Sequence, residues 1–170
     1  MPTYTLISSV TVGSGGAANI EFTSIPQTYT DLLLKVSLRT STSNSFDMIK
    51  ITFNNSSSGY SYRSIYANGS GAFSYSGSGS FFEYQDANGT SSTANTFSNG
   101  ELYIPNYAGS NNKSASLDTV TEDNSSTAFI VPMALLWANT SAITSIKLIT
   151  NSGLNFAQYA TTYLYGISNA

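Results

Sequence analysis

Nine carboxylates are the side chains in this sequence best suited to acid–base chemistry near neutral pH. They are Glu21, Asp31, Asp47, Glu83, Asp86, Glu101, Asp118, Glu122 and Asp123. Glycoside hydrolysis needs only two carboxylates about 5–10 Å apart, so such residues could in principle form a catalytic site. No two of them are marked as a pair by their spacing, and the polar faces of strands account for most of them. The sequence therefore favours a structural role for these acids.

The chain contains neither histidine nor cysteine. A Ser-His-Asp triad, a thiolate nucleophile, a Cys- or His-ligated metal and a disulfide are all excluded for this chain alone. These exclusions predict a protein that is not an enzyme and that uses no cofactor.

Two other patterns suggest ligand binding. The segment DTVTEDN contains Asp118, Glu122, Asp123 and Asn124, and their oxygens suit Ca²⁺, but the order of residues and the glycine of an EF-hand are missing. The Gly-Ser-Gly triplets at 13–15, 69–71 and 77–79 are not followed by the lysine and helix start of a phosphate loop. We interpret them as a solvated strand end and as turns, and predict no metal site.

Aromatic residues are the more informative feature. The chain has 12 tyrosines, and tyrosine is enriched at protein interfaces because its large ring carries a polar tip. Core packing and interface contact remain equally open for the stripe at residues 60, 62 and 66, and Trp137 suits either role. The candidate interface residues are Tyr103, Tyr107, Tyr60, Tyr62, Tyr66, Phe73 and Tyr75.

The composition of the chain limits the classes of partner that it is expected to bind. Only 9% of residues are charged and the net charge is −3, so neither nucleic acid nor an anionic membrane is an expected partner. The longest apolar run, residues 128–138, contains Pro132 and is too short to span a bilayer. The first residues lack the pattern of a signal peptide. An aromatic content of 13% argues for a packed fold despite the many Ser, Thr and Asn residues.

The elements that must position these residues follow a period of two, which is typical of β-strands. Alternation is clearest at 31–39 and recurs at 49–53, 60–66, 97–104, 114–121, 127–137, 143–150 and 158–167. Residues 4–12 place Tyr4, Leu6, Val10 and Val12 on one face, and the glycines at 13–16 suggest a hairpin to a strand at 20–22. Pro132 indicates a sheet edge or a bulge.

Two irregular segments matter for function. Residues 68–80 are interpreted as a flexible loop anchored by Phe73 and Tyr75. In ELYIPNYAGSNNKS (101–114), a strand ends at Pro105 and a polar turn leads to the next strand near Lys113. Tyr103 and Tyr107 are predicted to point outward beside this turn.

About eight to ten strands without a helical pattern predict an all-β fold. We expect one antiparallel β-sandwich domain over residues 1–170. A jelly roll is favoured over an immunoglobulin fold because the strand count is high and the Cys…Trp…Cys pattern is missing.

Five segments together resemble small virion proteins of tailed bacteriophages, of the kind frequent in aquatic and cyanobacterial phages. They are FTSIPQTYTDLLLKVSLRTS (22–41), GYSYRSIYANGS (59–70), ELYIPNYAGSNNKS (101–114), LLWANTSAITSIKL (135–148) and ATTYLYGI (160–167). Related chains resemble capsid decoration, or cement, proteins. The resemblance implies a virion protein on the capsid surface, made in the bacterial cytoplasm, that binds the major capsid protein and itself as a homotrimer.

Two alternatives stay open beside this expectation. One is a head- or tail-fibre module that recognises host surface glycans through Tyr103, Tyr107, Phe73 or Tyr75. The other is a glycan depolymerase, for which the sequence offers no catalytic motif.

Overall fold

The computed structural model describes residues 1–124 and 128–168, with only the backbone of residues 84–86. Twelve strands form an eight-stranded and a four-stranded sheet, ordered β1-β12-β3-β8-β9-β10-β5-β6 and β2-β11-β4-β7, with antiparallel neighbours throughout. The strands are β1 Thr3–Thr11, β2 Asn19–Phe22, β3 Asp31–Leu38, β4 Phe46–Phe53, β5 Tyr60–Ala67, β6 Ala72–Gly79, β7 Phe82–Asn88, β8 Ser98–Pro105, β9 Lys113–Thr121, β10 Phe129–Trp137, β11 Ile146–Thr150 and β12 Thr161–Ser168.

The pairing confirms an antiparallel β-sandwich with jelly-roll winding. The first strand pairs with the last (β1 with β12), the second with the one before it (β2 with β11), and β3 with β8, β4 with β7 and β5 with β6 lie nested inside. Such nesting is what a long hairpin gives when it is wound into two facing sheets. The adjacent strands β9 and β10 enter as an extra hairpin between β8 and β5, and they help to make one sheet twice as wide as the other.

The core lies between the sheets and follows the alternation of the sequence. Leu32, Leu34 and Leu38 of β3 are at most 1% exposed, as the predicted inward face requires. The centre is aromatic, and the ring of Phe82 meets those of Phe53 and Tyr60 at centroid distances of 5.5 and 4.8 Å. Trp137 is 1% exposed and stacks near Tyr60 at 6.1 Å, so it is a core residue.

The first strand corrects one prediction. A register shift between Leu6 and Ser8 places Leu6 opposite Tyr165 and Val10 opposite Thr162, and residues 165 and 162 lie on opposite faces of β12. This β-bulge turns Tyr4 and Leu6 to the outside of the sandwich, while Val10 packs against the core. The expected single face for all four residues was wrong because one extra residue reverses the alternation.

Three further expectations about elements were wrong. The segment 68–80 is not a loop, since Ala72–Gly79 forms the edge strand β6 paired with β5. Strands β1 and β2 make no hairpin, because they belong to different sheets. Pro132 marks neither a sheet edge nor a bulge, because it lies in β10, between β9 and β5. Its pair with Ile65 is missing from the ladder of β10 with β5, but the register of these two strands is the same before and after the proline.

Within residues 1–124 and 128–168, no helix is long and apolar enough to cross a membrane.

Candidate functional site: the outer face of the large sheet

The face of the eight-stranded sheet that points away from the four-stranded sheet, here called the outer face, is the candidate site. Directly paired residues of antiparallel strands share a face, so the register sorts its side chains into transverse rows that run from β1 to β6. One row is Leu6, Tyr165, Leu33, Tyr103, Ser116, Ala134, Arg63 and Ser76. The next, called the charged row, is Ser9, Tyr163, Lys35, Glu101, Asp118 and Pro132, followed beyond the break in the ladder by Ile65 and Ser74.

Exposed apolar side chains concentrate on this face. Of the 13 large hydrophobic residues that the described part of the chain exposes, eight lie on it: Tyr4, Leu6, Ile65, Tyr103, Val120, Ile130, Leu136 and Tyr163. Ile65 and Ile130 are more than half exposed, at 57% and 55%. Single exposed hydrophobic residues are ordinary on proteins, but a group on one face is typical of a contact surface.

The charges of the outer face lie mostly in the charged row. The ammonium group of Lys35 lies 3.0 Å from the carboxylate of Glu101, and Glu101 is directly opposite Asp118 on the next strand. Like charges in such positions repel, and Lys35 offsets this repulsion on one side. The sequence did not reveal this carboxylate pair, because residues 101 and 118 meet only through the pairing of β8 with β9.

Two clefts lie on the outer face and share Asp118. The first has a volume of about 690 Å³ and is lined by Arg63, Ile65, Ser76, Ser116, Asp118 and Pro132, among others. The second has a volume of about 570 Å³ and is lined by Lys35, Asn99, Glu101, Asp118, Tyr163 and Tyr165, among others. Both clefts are shallow and lie open to solvent.

Tyr103 points outward as predicted, and its hydroxyl is fixed in place. It donates a hydrogen bond to Oδ2 of Asp31 at 2.9 Å, and the backbone N–H of Asn106 donates to Oδ1 at 3.0 Å. Burial and the bond to Asp31 raise the pKa of Tyr103. Asp31 is itself only 7% exposed, so one carboxylate holds the end of β8 and the start of the following turn.

Tyr107 corrects the second half of that prediction. It is fully buried rather than outward, and its hydroxyl donates to the backbone carbonyl of Pro26. Burial raises its pKa. Asn106 just before it has φ of 50°, a left-handed conformation that asparagine tolerates, so the chain has already left the strand and its alternation no longer applies. Tyr107 is therefore an anchor of the turn and is not an interface residue.

Lys113 lies at the other end of the turn between β8 and β9 and is hydrogen-bonded to its backbone. Its ammonium group donates to the carbonyl oxygens of Gly109 at 2.7 Å and Asn111 at 2.5 Å. The residue is 1% exposed, and this burial lowers the pKa of Lys113. A buried lysine is costly unless it is hydrogen-bonded, so these contacts are structural.

The stripe on β5 serves the core rather than the surface. Tyr60 and Tyr62 are 2% and 5% exposed and Tyr66 is half-buried, so the interface interpretation fails for Tyr60 and Tyr62. The Tyr60 hydroxyl accepts the backbone N–H of Phe53 at 2.9 Å. That of Tyr62 donates to Glu83 at 2.7 Å, and burial together with this bond raises the pKa of Tyr62.

Phe73 and Tyr75 remain exposed, at 46% and 43%. They lie on the inner side of β6, because their cross-strand partners are Tyr66 and Ser64. Phe73 stacks on Tyr66 with centroids 5.0 Å apart, and Tyr75 lies against Tyr62 at 5.8 Å. Both rings are thus held in place at the rim of the large sheet, and their role in an interface stays a prediction.

The acidic residues of DTVTEDN, for which the sequence predicts no metal site, are spread along the chain. Asp118 and Glu122 are four residues apart along β9 and its end, which in an extended strand is about 13 Å. The Glu122 carboxylate accepts the backbone N–H of Asn124 at 2.8 Å. Among the described residues, no three Asp or Glu side chains group as metal ligands would.

Comparisons with known proteins give no family. No protein-family model matches the chain, and no curated protein matches it. Among solved structures, the galectin LEC-6 of Caenorhabditis elegans aligns over 95% of this chain and 96% of its own, with 11% identity and a TM-score of 0.36. The E230A fructofuranosidase of Schwanniomyces occidentalis, complexed with fructosylnystose, aligns over 99% of this chain and 33% of its own, with 6% identity and a TM-score of 0.25. Both scores are below 0.5, so no function is inferred from either.

Proposed function

We propose that the chain is a non-enzymatic structural protein of a phage virion, which decorates the major capsid shell as a trimer and stabilises it. The observation that carries this proposal is the outer face, which holds eight of the 13 large hydrophobic side chains that are exposed among the described residues. The resemblance of five segments to phage virion proteins is the reason for proposing a phage capsid as the binding partner.

The chemistry of the outer face suits a protein partner. Ser, Thr and Asn supply 66 of the 170 residues, and such groups contact a neighbour at a lower desolvation cost than charges do. Interfaces bury apolar patches within a polar rim. Many copies on one shell add avidity, so each contact can be modest.

A matched pair of substitutions tests the role of the outer face. Ile130→Lys places a charge in the apolar patch, whereas Leu154→Lys changes a residue of similar exposure in a loop outside it (55% and 45%). We expect Ile130→Lys to weaken binding to shells stripped of the protein by at least about tenfold, which is about 1.4 kcal/mol. Leu154→Lys should bind as the unchanged protein does. Equal binding by both variants would show that the outer face has no part in assembly.

The position in the particle is tested by cryo-electron microscopy of the source virion at side-chain resolution. The decoration role requires density for this chain on the capsid lattice. Density confined to the tail would exclude that role.

A second candidate function is recognition of host surface glycans by a fibre module, and the second cleft favours it. Two tyrosines, Tyr163 and Tyr165, border it beside the amide of Asn99 and the carboxylates of Glu101 and Asp118. Aromatic rings next to amides and carboxylates suit the apolar faces and hydroxyls of sugars. A glycan array should then show binding that Tyr163→Ala abolishes, while no binding to host envelope fractions would exclude this function.

A further inference from the structure

The two edge strands of the eight-stranded sheet, β1 and β6, are long and carry no charged residue. An edge strand offers unpaired backbone N–H and C=O groups, and proteins blunt such edges with charges, prolines, bulges or short strands. β6, with sequence AFSYSGSG, has eight residues and no charge, proline or register shift. β1, with sequence TYTLISSVT, has nine residues, no charge and no proline, and one bulge.

The four-stranded sheet of the same molecule is protected. Its edge strand β2 has only four residues and includes Glu21, which pairs with Lys147 at 3.5 Å. Its other edge, β7, carries Glu83. The edge strands of the four-stranded sheet are thus charged, and one of them is short, whereas those of the eight-stranded sheet are long and uncharged. The open edges are therefore a specific feature of the large sheet.

The two open edges are complementary in direction. All neighbours in the large sheet are antiparallel and the strand number is eight, so β1 and β6 run in opposite directions. A second copy, related by rotation about an axis along the strands, therefore places its β1 antiparallel to β6 of the first. An isologous contact of β6 with β6 would join only two copies, whereas this head-to-tail contact closes into rings.

The faces of the two strands also fit. Continuing the sheet places Val10 of one copy on the inner side, next to the exposed rings of Phe73 and Tyr75 of the other. Aromatic residues beside β-branched residues are favourable cross-strand pairs. Ser9 and Ser74 occupy the two ends of the charged row, so both side chains would point to the outer side of a continued sheet.

We propose that β6 of each copy pairs with β1 of the next and that three copies close into a ring with a continuous β-sheet. The number three rests on the trimer of the proposed function, whereas the strand pairing rests on the open edges. In this ring the threefold axis lies roughly along the strands.

Cross-linking tests the pairing on the full chain, which has no cysteine of its own. A Ser9→Cys, Ser74→Cys double variant is treated with a bismaleimide, whose length tolerates a shift in register, and the products are separated under denaturing conditions. We expect covalent trimers from the double variant and none from Ser74→Cys alone. The control variant pairs Ser74→Cys with Ser57→Cys, in an exposed loop, and should not form covalent trimers. Circular dichroism checks that each variant is folded.

Three results would overturn the pairing. Covalent dimers from Ser74→Cys alone would show a β6–β6 contact. A trimer by native mass spectrometry whose Ser9→Cys and Ser74→Cys sites do not link would show another interface. A chain that stays monomeric at every concentration and on the shell would exclude the ring. Shell binding is measured on the same samples, so a linked ring that ignores shells would refute only the decoration role.

Discussion

The hydrogen bond between Tyr103 and Asp31 is expected to be a measurable contribution to stability, and a double-mutant cycle tests it. Tyr103→Phe removes one hydrogen bond to a carboxylate. Such bonds contribute about 1.5–3 kcal/mol when they are buried, and because Tyr103 is 37% exposed we expect a smaller cost of about 1 kcal/mol. Asp31→Ala also removes the acceptor of the Asn106 N–H, so we expect about 2–3 kcal/mol. With the acceptor gone, Tyr103→Phe should add almost nothing, and the coupling energy should be about 1 kcal/mol.

The free energies of unfolding are measured in urea for the unchanged protein, the two single variants and the double variant. For a domain of this size, 1 kcal/mol corresponds to about 2–4 °C in melting temperature, so thermal melting gives a second measurement. Tyr163→Phe is the matched control, since Tyr163 lies on the same face with nearly equal exposure (38% against 37%). Its directly paired neighbours are Ser9 and Lys35, and its hydroxyl makes no hydrogen bond to the described residues, unlike that of Tyr103. It should change stability by less than about 0.5 kcal/mol. Strict additivity of the Tyr103 and Asp31 substitutions would refute the contribution of this bond.

Three further outcomes can be measured on the isolated protein. Phe82→Ala empties the aromatic centre and should cost about 3–5 kcal/mol in urea unfolding; a loss below 1 kcal/mol would contradict the packing described. Gly89→Ala would bring Cβ within 2.2 Å of the carbonyl oxygen of Asn44, whereas a Cβ at Gly79 meets nothing within 4 Å, so only the first should lower the melting temperature. The pKa of Tyr62 is raised by burial and by its bond to Glu83, so the folded form holds its proton more tightly. The contribution of protonated Tyr62 to folding stability is complete below pH 10, which is the ordinary pKa of tyrosine in the unfolded chain, and it is lost as the pH rises above that value. Stability should therefore decline less steeply at alkaline pH in a Tyr62→Phe variant. An unchanged decline would refute the role of Tyr62.

The sequence predicted those parts of the fold that local alternation determines. The inward face of β3 and the strand that ends at Pro105 are both present, because burying every second residue is a local pattern. The bulge in β1 escaped prediction because its cause is the register with β12, some 150 residues away in the chain. The edge strand β6 escaped it too, because its serines and glycines are typical of loops and its partner β5 determines its structure.

The site was harder to predict than the fold for the same reason. Tyr103 alternates with buried neighbours and was placed correctly, whereas Tyr107 lies past a residue of positive φ, where the period of two ends. The outer face as a unit depends on eight strands in a particular order. No stretch of sequence shows that Glu101 meets Asp118, or that Ser9 and Ser74 share a row.

The nested pairing has a consequence for how the chain folds during synthesis. β3 lies between β12 and β8, and these two neighbours begin 67 (β8) and 130 (β12) residues after β3 begins. At about 5–20 residues per second, synthesis of the chain from β3 to β12 takes about 6–26 seconds, and the apolar face of β3 lacks one neighbour for that time. Contacts this distant along the chain make folding slow, commonly milliseconds to seconds after release. The hairpin of β9 and β10 needs only local contacts and is the natural place for folding to begin, whereas β1 is held only after the last strand, β12, has left the ribosome.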